Sequence, residues 1–88
     1  MAGNETLAGL LERVAQSRLR LAAIADLLPD GLAATTRAGP LDAEAWLLLV
    51  DNAAAAAKLR QLLPTFESRL KERGWTGPPV KVRIQVRA

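Results

Sequence analysis

The chain's carboxyl end, VKVRIQVRA, sets Lys81, Arg83 and Arg87 between Val80, Val82, Ile84 and Val86. Strict alternation places the apolar side chains on one face of a strand and the cations on the other. A row of ammonium and guanidinium groups has the chemistry of phosphate contact, because each cation that meets a phosphate displaces a condensed counterion. Arg37 would join the row if its own segment is a strand of the same sheet. The competing reading is a solvated outer face whose cations keep sheet edges from pairing with other chains.

Catalytic chemistry has little to build on. The chain has no histidine and no cysteine, which excludes a Ser-His-Asp triad, a Cys-His pair and a thiolate metal site. Asp26, Asp30, Asp42, Glu44 and Asp51 fall singly in turns and at helix caps, and no calcium-loop spacing occurs. No catalytic residue, metal ligand or cofactor is therefore expected, and the protein reads as a non-enzyme. Gly74-Trp75-Thr76-Gly77 fits the G-x-x-G pattern of loops that clamp a nucleic-acid backbone. Such loops join two helices and carry cations at the middle positions, so a structural turn is the expectation here. Trp46, Phe66 and Trp75 are the only aromatics, and none alternates with the cations of the last strand. Trp46 is expected in the core or at a sheet edge.

The 88-residue chain has room for one domain and one modest core. The net charge is +3, and the last acidic residue is Glu72, with Arg73, Lys81, Arg83 and Arg87 beyond it. That asymmetry suits a polyanionic partner. The amino-terminal residues have acids where a signal peptide needs cations, and no apolar run is long enough to span a membrane. A cytoplasmic protein without a membrane contact is the expectation.

The elements follow from periodicity. Residues 4–28 repeat apolar positions at Leu7, Leu10, Leu11, Val14, Leu21, Ala25 and Leu28, which predicts a helix capped by Asn4. Arg13 and Arg20 on one side of it form an exposed basic stripe. Pro29-Asp30-Gly31 supplies a turn. Residues 33–51 predict a hairpin: a weak strand around Thr35-Thr36, a loop at Gly39-Pro40-Leu41-Asp42, and a strong strand over EAWLLLVD. Residues 52–73 predict a helix capped by Asp51 or Asn52, kinked or doubled at Pro64 and stopped at Gly74. Residues 80–87 form the last strand. The fold class is α+β, a single domain of order α-β-β-α(α)-β, with a three-stranded sheet and helices packed on one face. The strong strand is apolar on both sides, with Trp46, Leu48 and Val50 on one and Ala45, Leu47 and Leu49 on the other. Which side faces inward stays open, and the uncovered one leaves an apolar stripe beside the cations, the mark of a contact surface.

The segments LLPDGLAATTRAG, WLLLVDNAAAAAKLRQLLP, GW and VKVRIQVR together resemble the DciA family of bacterial proteins, over roughly residues 10–87. The most specific part is residues 51–64 with the closing strand. The resemblance implies a KH-like domain, an association with the replicative DnaB-type helicase, and DNA binding. The chain is expected to be a compact or truncated member, or a domain excised from a longer protein, since it lacks the cysteines of members with a zinc ribbon. Two functions follow. One is a non-catalytic nucleic-acid-binding adaptor, with Arg37, Lys81, Arg83 and Arg87 on phosphates, a chemistry that suits DNA or RNA in either strandedness. The other is a protein-interaction module in which Trp46, Leu48 and Val50, or the first helix, meet the helicase or a second copy.

Overall fold

A computed structural model describes residues 6–85. Helix α1 spans Leu7–Ile24, and its cap is Thr6, whose hydroxyl accepts the Gly9 N–H at 3.0 Å. Asn4, the expected cap, lies outside the described residues. The helix tightens into a 3-10 turn at Ala25–Leu27, and Pro29 then leads into a single helical turn, α2, at Asp30–Ala33. Proline suits that place because the first N–H groups of a helix have no intrahelical acceptor.

Strand β1 runs Thr36–Leu41 and β2 runs Trp46–Val50, antiparallel. Gly39 and Pro40, expected in a loop, lie inside β1. Ala38 pairs with Leu48 and Leu41 with Trp46, so Gly39 and Pro40 together face Leu47 as a bulge. A bulge on an edge strand tolerates the N–H that proline lacks. Glycine is needed beside it, because a Cβ at position 39 would lie 2.8 Å from Leu49 Cγ and 2.9 Å from the Leu47 carbonyl oxygen. The turn falls later than expected, where the Asp42 carboxylate accepts the N–H groups of Glu44 at 2.7 Å and Ala45 at 3.0 Å.

Helix α3 spans Ala53–Glu72 as one helix that runs through Pro64, not as two. Asn52 caps it, accepting the Ala55 N–H at 2.8 Å. At its other end Gly74 adopts φ +80°, and the N–H groups of Gly74 and Trp75 reach back to the carbonyls of Lys71 and Leu70. That is the Schellman closure, and it releases the chain toward β3, Val80–Ile84. β3 pairs parallel with β2, giving a mixed sheet of order β1-β2-β3. The architecture is α+β, with β2 in the centre.

Trp46, Leu48 and Val50 are fully buried among Ile24 of α1 and Ala56, Leu59 and Phe66 of α3. Each large side chain buried here contributes about 1.5–3 kcal/mol. Within the alanine run only Ala55 and Ala56 are buried, and their small size lets α3 lie close to the sheet. Polar ties fix the layers. The Trp46 indole N–H donates to the Ser17 hydroxyl at 2.8 Å, and that hydroxyl donates to the Gly39 carbonyl at 2.6 Å. Arg69 of α3 donates to the Ala23 carbonyl at 3.1 Å and to Asp26 at 2.6 Å, holding the end of α1. Glu67 accepts the Val80 N–H at 3.1 Å, where α3 meets β3.

Ser17 thus joins α1, the β1 bulge and β2 through one oxygen. Ser17→Ala would leave both the indole N–H and the Gly39 carbonyl without that partner. The expected loss is about 2 kcal/mol of unfolding free energy, seen as a lower urea midpoint at unchanged slope. An unaltered midpoint would show that the bridge contributes nothing.

Candidate functional site

The registers determine what the uncovered face of the sheet displays. In β1–β2, Arg37 is opposite Leu49; in β2–β3, Leu49 is beside Arg83 and Leu47 beside Lys81. Side chains of paired residues lie on one face, so two cross-strand rows result: Arg37–Leu49–Arg83, and Leu47–Lys81 next to the glycine-proline bulge. Lys81 and Arg83 are exposed, and Leu47 and Leu49 are half-buried between β1 and β3. Neighbouring strands are roughly 4.8 Å apart, and residues two apart on a strand roughly 6.6 Å. Cations of both outer strands therefore flank the two leucines within a patch small enough for one ligand segment.

The three described cations of the expected set converge, in different electrostatic states. Arg37 donates through Nη1 to Asp51 at 2.6 Å, and its Nη2 is buried without a hydrogen-bond partner. Asp51 therefore holds Arg37 and leaves helix capping to Asn52. A partly exposed pair of this kind contributes about 0–1 kcal/mol, so an incoming anion can compete for the guanidinium. Lys81 and Arg83 are in no ion pair among the described residues, although Lys81 lies in the field of Asp42. Arg87, the fourth expected contact, lies outside the described residues.

Two expectations need correction. The protein-interaction reading offered Trp46, Leu48 and Val50, or the first helix, as its contact surface, but these three side chains are 0% exposed and belong to the core. The physical reason is Ser17, the acceptor that draws the indole inward and turns Leu47 and Leu49 out. Arg20 was expected on an exposed basic stripe with Arg13. Instead it is only 8% exposed, donates to the Thr76 carbonyl at 3.0 Å and lies 4.9 Å from the Trp75 ring centre. It organises the Gly74–Gly77 turn, and burial lowers its pKa from the ordinary arginine value. The apolar positions Leu7, Leu10, Leu11 and Val14, whose spacing predicts the helix, are all exposed. Only the carboxyl-terminal half of α1 reaches the core.

No aromatic ring is available for stacking on the open face. Trp46 and Phe66 are buried, and Trp75 is engaged with Arg20. What the face can do is hold anionic groups over an apolar floor. Among the described residues, no group of three histidine, cysteine, aspartate or glutamate side chains could hold a metal ion, and no helix is long and apolar enough to cross a membrane.

Asp42 sits at the end of this face. The N–H groups of Glu44 and Ala45 lower its pKa below the ordinary carboxylate value, helped by the charges of Arg13 and Lys81. The Arg69 hydrogen bond does the same for Asp26. Both carboxylates hold fewer protons folded than unfolded near their ordinary pKa. Their stabilisation is thus complete above that value and is lost as pH falls through the lower, folded-state value. Unfolding midpoints measured from pH 6 to pH 2 should fall across that window. The Asp26→Asn/Asp42→Asn double variant should show a shallower fall, and an identical pH profile would exclude these two groups as its origin.

No family model matches this chain, and neither a curated protein nor a solved structure matches it.

Proposed function

We propose that the protein is a non-catalytic adaptor that holds a nucleic-acid backbone on the open face of its sheet. The observation that supports this most directly is the pair of rows in which Lys81 and Arg83, with Arg37 across Leu49, surround Leu47 and Leu49. Lys81 and Arg83 are the primary phosphate contacts. Arg37 becomes a third when phosphate replaces Asp51, and Arg87 continues the row in sequence. Leu47 and Leu49 give sugars and bases an apolar floor without reading their identity, so DNA and RNA single strands bind alike.

The order of elements and the parallel β2–β3 pairing are compatible with a KH-like domain of the DciA kind. On that reading the partner is a replicative DnaB-type helicase and the setting is the cytoplasm. The Gly74–Gly77 turn takes no part in clamping, because Trp75 and Thr76 are committed to Arg20. A protein-contact role is the second reading, favoured by the half-buried Leu47 and Leu49.

Fluorescence anisotropy with labelled oligo-dT and oligo-U tests the first reading. Two contacts predict a slope of log K against log salt near −1.4, and three predict about −2.1. Lys81→Glu and Arg83→Glu should each weaken binding several-fold. Asp51→Asn should tighten it and steepen the slope by about 0.7, since it releases Arg37. Absence of binding at low salt, or variants that bind as the parent does, would refute the assignment. Retention of purified helicase through Leu47 and Leu49, without any oligonucleotide binding, would favour the second reading.

A further inference from the structure

The geometry points to a second binding surface, in which the groove between α1 and β1 receives an acidic amphipathic segment of another protein. The groove has a volume of about 370 Å³, with Leu10 and Val14 on its helix wall and Leu41 and Leu49 on its sheet side. Arg13 and Arg18 are its charged lining, and no acidic side chain lines it. Beyond its helix wall the apolar stripe continues at Leu7 and Leu11, which are 71% and 59% exposed. Four large apolar side chains over two turns of one helix, without cover among the described residues, form a seam that favours a partner over water.

Charge identifies the occupant. A seam of this kind with carboxylates at its edges would be self-sufficient, or would select a basic partner. Here Arg18 follows Val14 by four residues and so extends the same stripe. Arg13 lines the groove as well, within the field of Asp42. A ligand with leucine-like anchors and flanking Glu or Asp satisfies both features, and a basic ligand satisfies neither.

The bulge identifies the ligand's conformation. A strand added to the edge of β1 would need main-chain partners there, but Pro40 has no N–H and the Gly39 carbonyl already accepts from Ser17. Side chains must therefore make the contact, as an amphipathic helix does when it lays anchors at i, i+3 or i+4, and i+7 into a groove. This surface adjoins the Lys81–Arg83 rows and shares Leu49 with them.

The test is a display library of 16-residue peptides panned on the full chain, followed by anisotropy of the synthesised winners. Enriched peptides should be net acidic, with Leu, Ile or Phe at helical spacing. Val14→Glu and Arg18→Glu should each weaken them about tenfold or more, while Lys58→Glu, at an exposed position of α3 outside the groove, leaves them unchanged. Both substituted positions are exposed, and thermal melts by circular dichroism confirm that the variants fold. Three outcomes overturn the proposal: no enrichment, enrichment of basic or neutral peptides, or binding indifferent to Val14→Glu. A fourth is self-association in sedimentation that Val14→Glu abolishes, which would make a second copy the occupant. Oligo-dT binding by the Val14→Glu variant is read separately, so failure here and failure of the nucleic-acid reading are distinguishable.

Discussion

The indole N–H of Trp46 has to find an acceptor once it is buried, and Ser17 is the acceptor it finds. Much of the molecule follows from that requirement. The bond turns Trp46 inward, and strand alternation then takes Leu48 and Val50 with it and leaves Leu47 and Leu49 on the other side. The same hydroxyl reaches the Gly39 carbonyl, which anchors α1 over β1 at the bulge. Parallel pairing carries the choice of face to β3, where Val80 is buried and Lys81 and Arg83 are exposed. A slip of one residue in that register would bury two cations without partners, at far greater cost than the sheet could recover.

The second determinant is a shortage of cover. A central strand that is apolar on both faces calls for two layers, and this chain supplies helices for one. α1 spends its carboxyl-terminal half on the core and carries its amino-terminal half past it, so apolar surface remains both on the sheet and along the helix. Cations border both areas. A cationic border has the charge both to oppose edge-to-edge association and to attract anions, so the solvated-face and contact-face readings rest on the same residues.

Much of the fold was legible because it rests on local pattern. The strand alternation of residues 80–84, a cap at Asp51 or Asn52, the helix-stopping Gly74 and the apolar run of β2 are all short-range signals, and the structure has elements at each, with Asn52 as the cap. The bulge was not legible, because Gly39-Pro40 carries the composition of a loop and enters the strand only through the close approach of Leu47 and Leu49. The inward face of β2 depended on Ser17, which is 29 residues from Trp46, and a serine within a helix carries no sign of such a role. Arg20 resembled its solvent-facing neighbours in sequence, although the carbonyl and ring that hold it come from the far end of the chain. Within the site, Lys81 and Arg83 were visible from alternation alone. The pairing of Arg37 with Asp51 was not, since it arises from the β1–β2 register. The overhang of α1 left one clue in the sequence: its apolar stripe is longer than a five-residue strand can cover.

On the proposed function, the side of the sheet that carries Leu47, Leu49, Lys81 and Arg83 is a binding face whose apolar and charged residues act together. Backbone amide shifts of the isotope-labelled chain, followed during titration with unlabelled oligo-dT at low salt, test it most directly. Saturable shifts are expected at Arg37, Leu47, Leu49, Lys81 and Arg83, with the amides of Leu59 and Phe66 on the buried side of α3 unmoved. Shifts confined to the helices, or none at concentrations that saturate other weak polyanion binders, would contradict it.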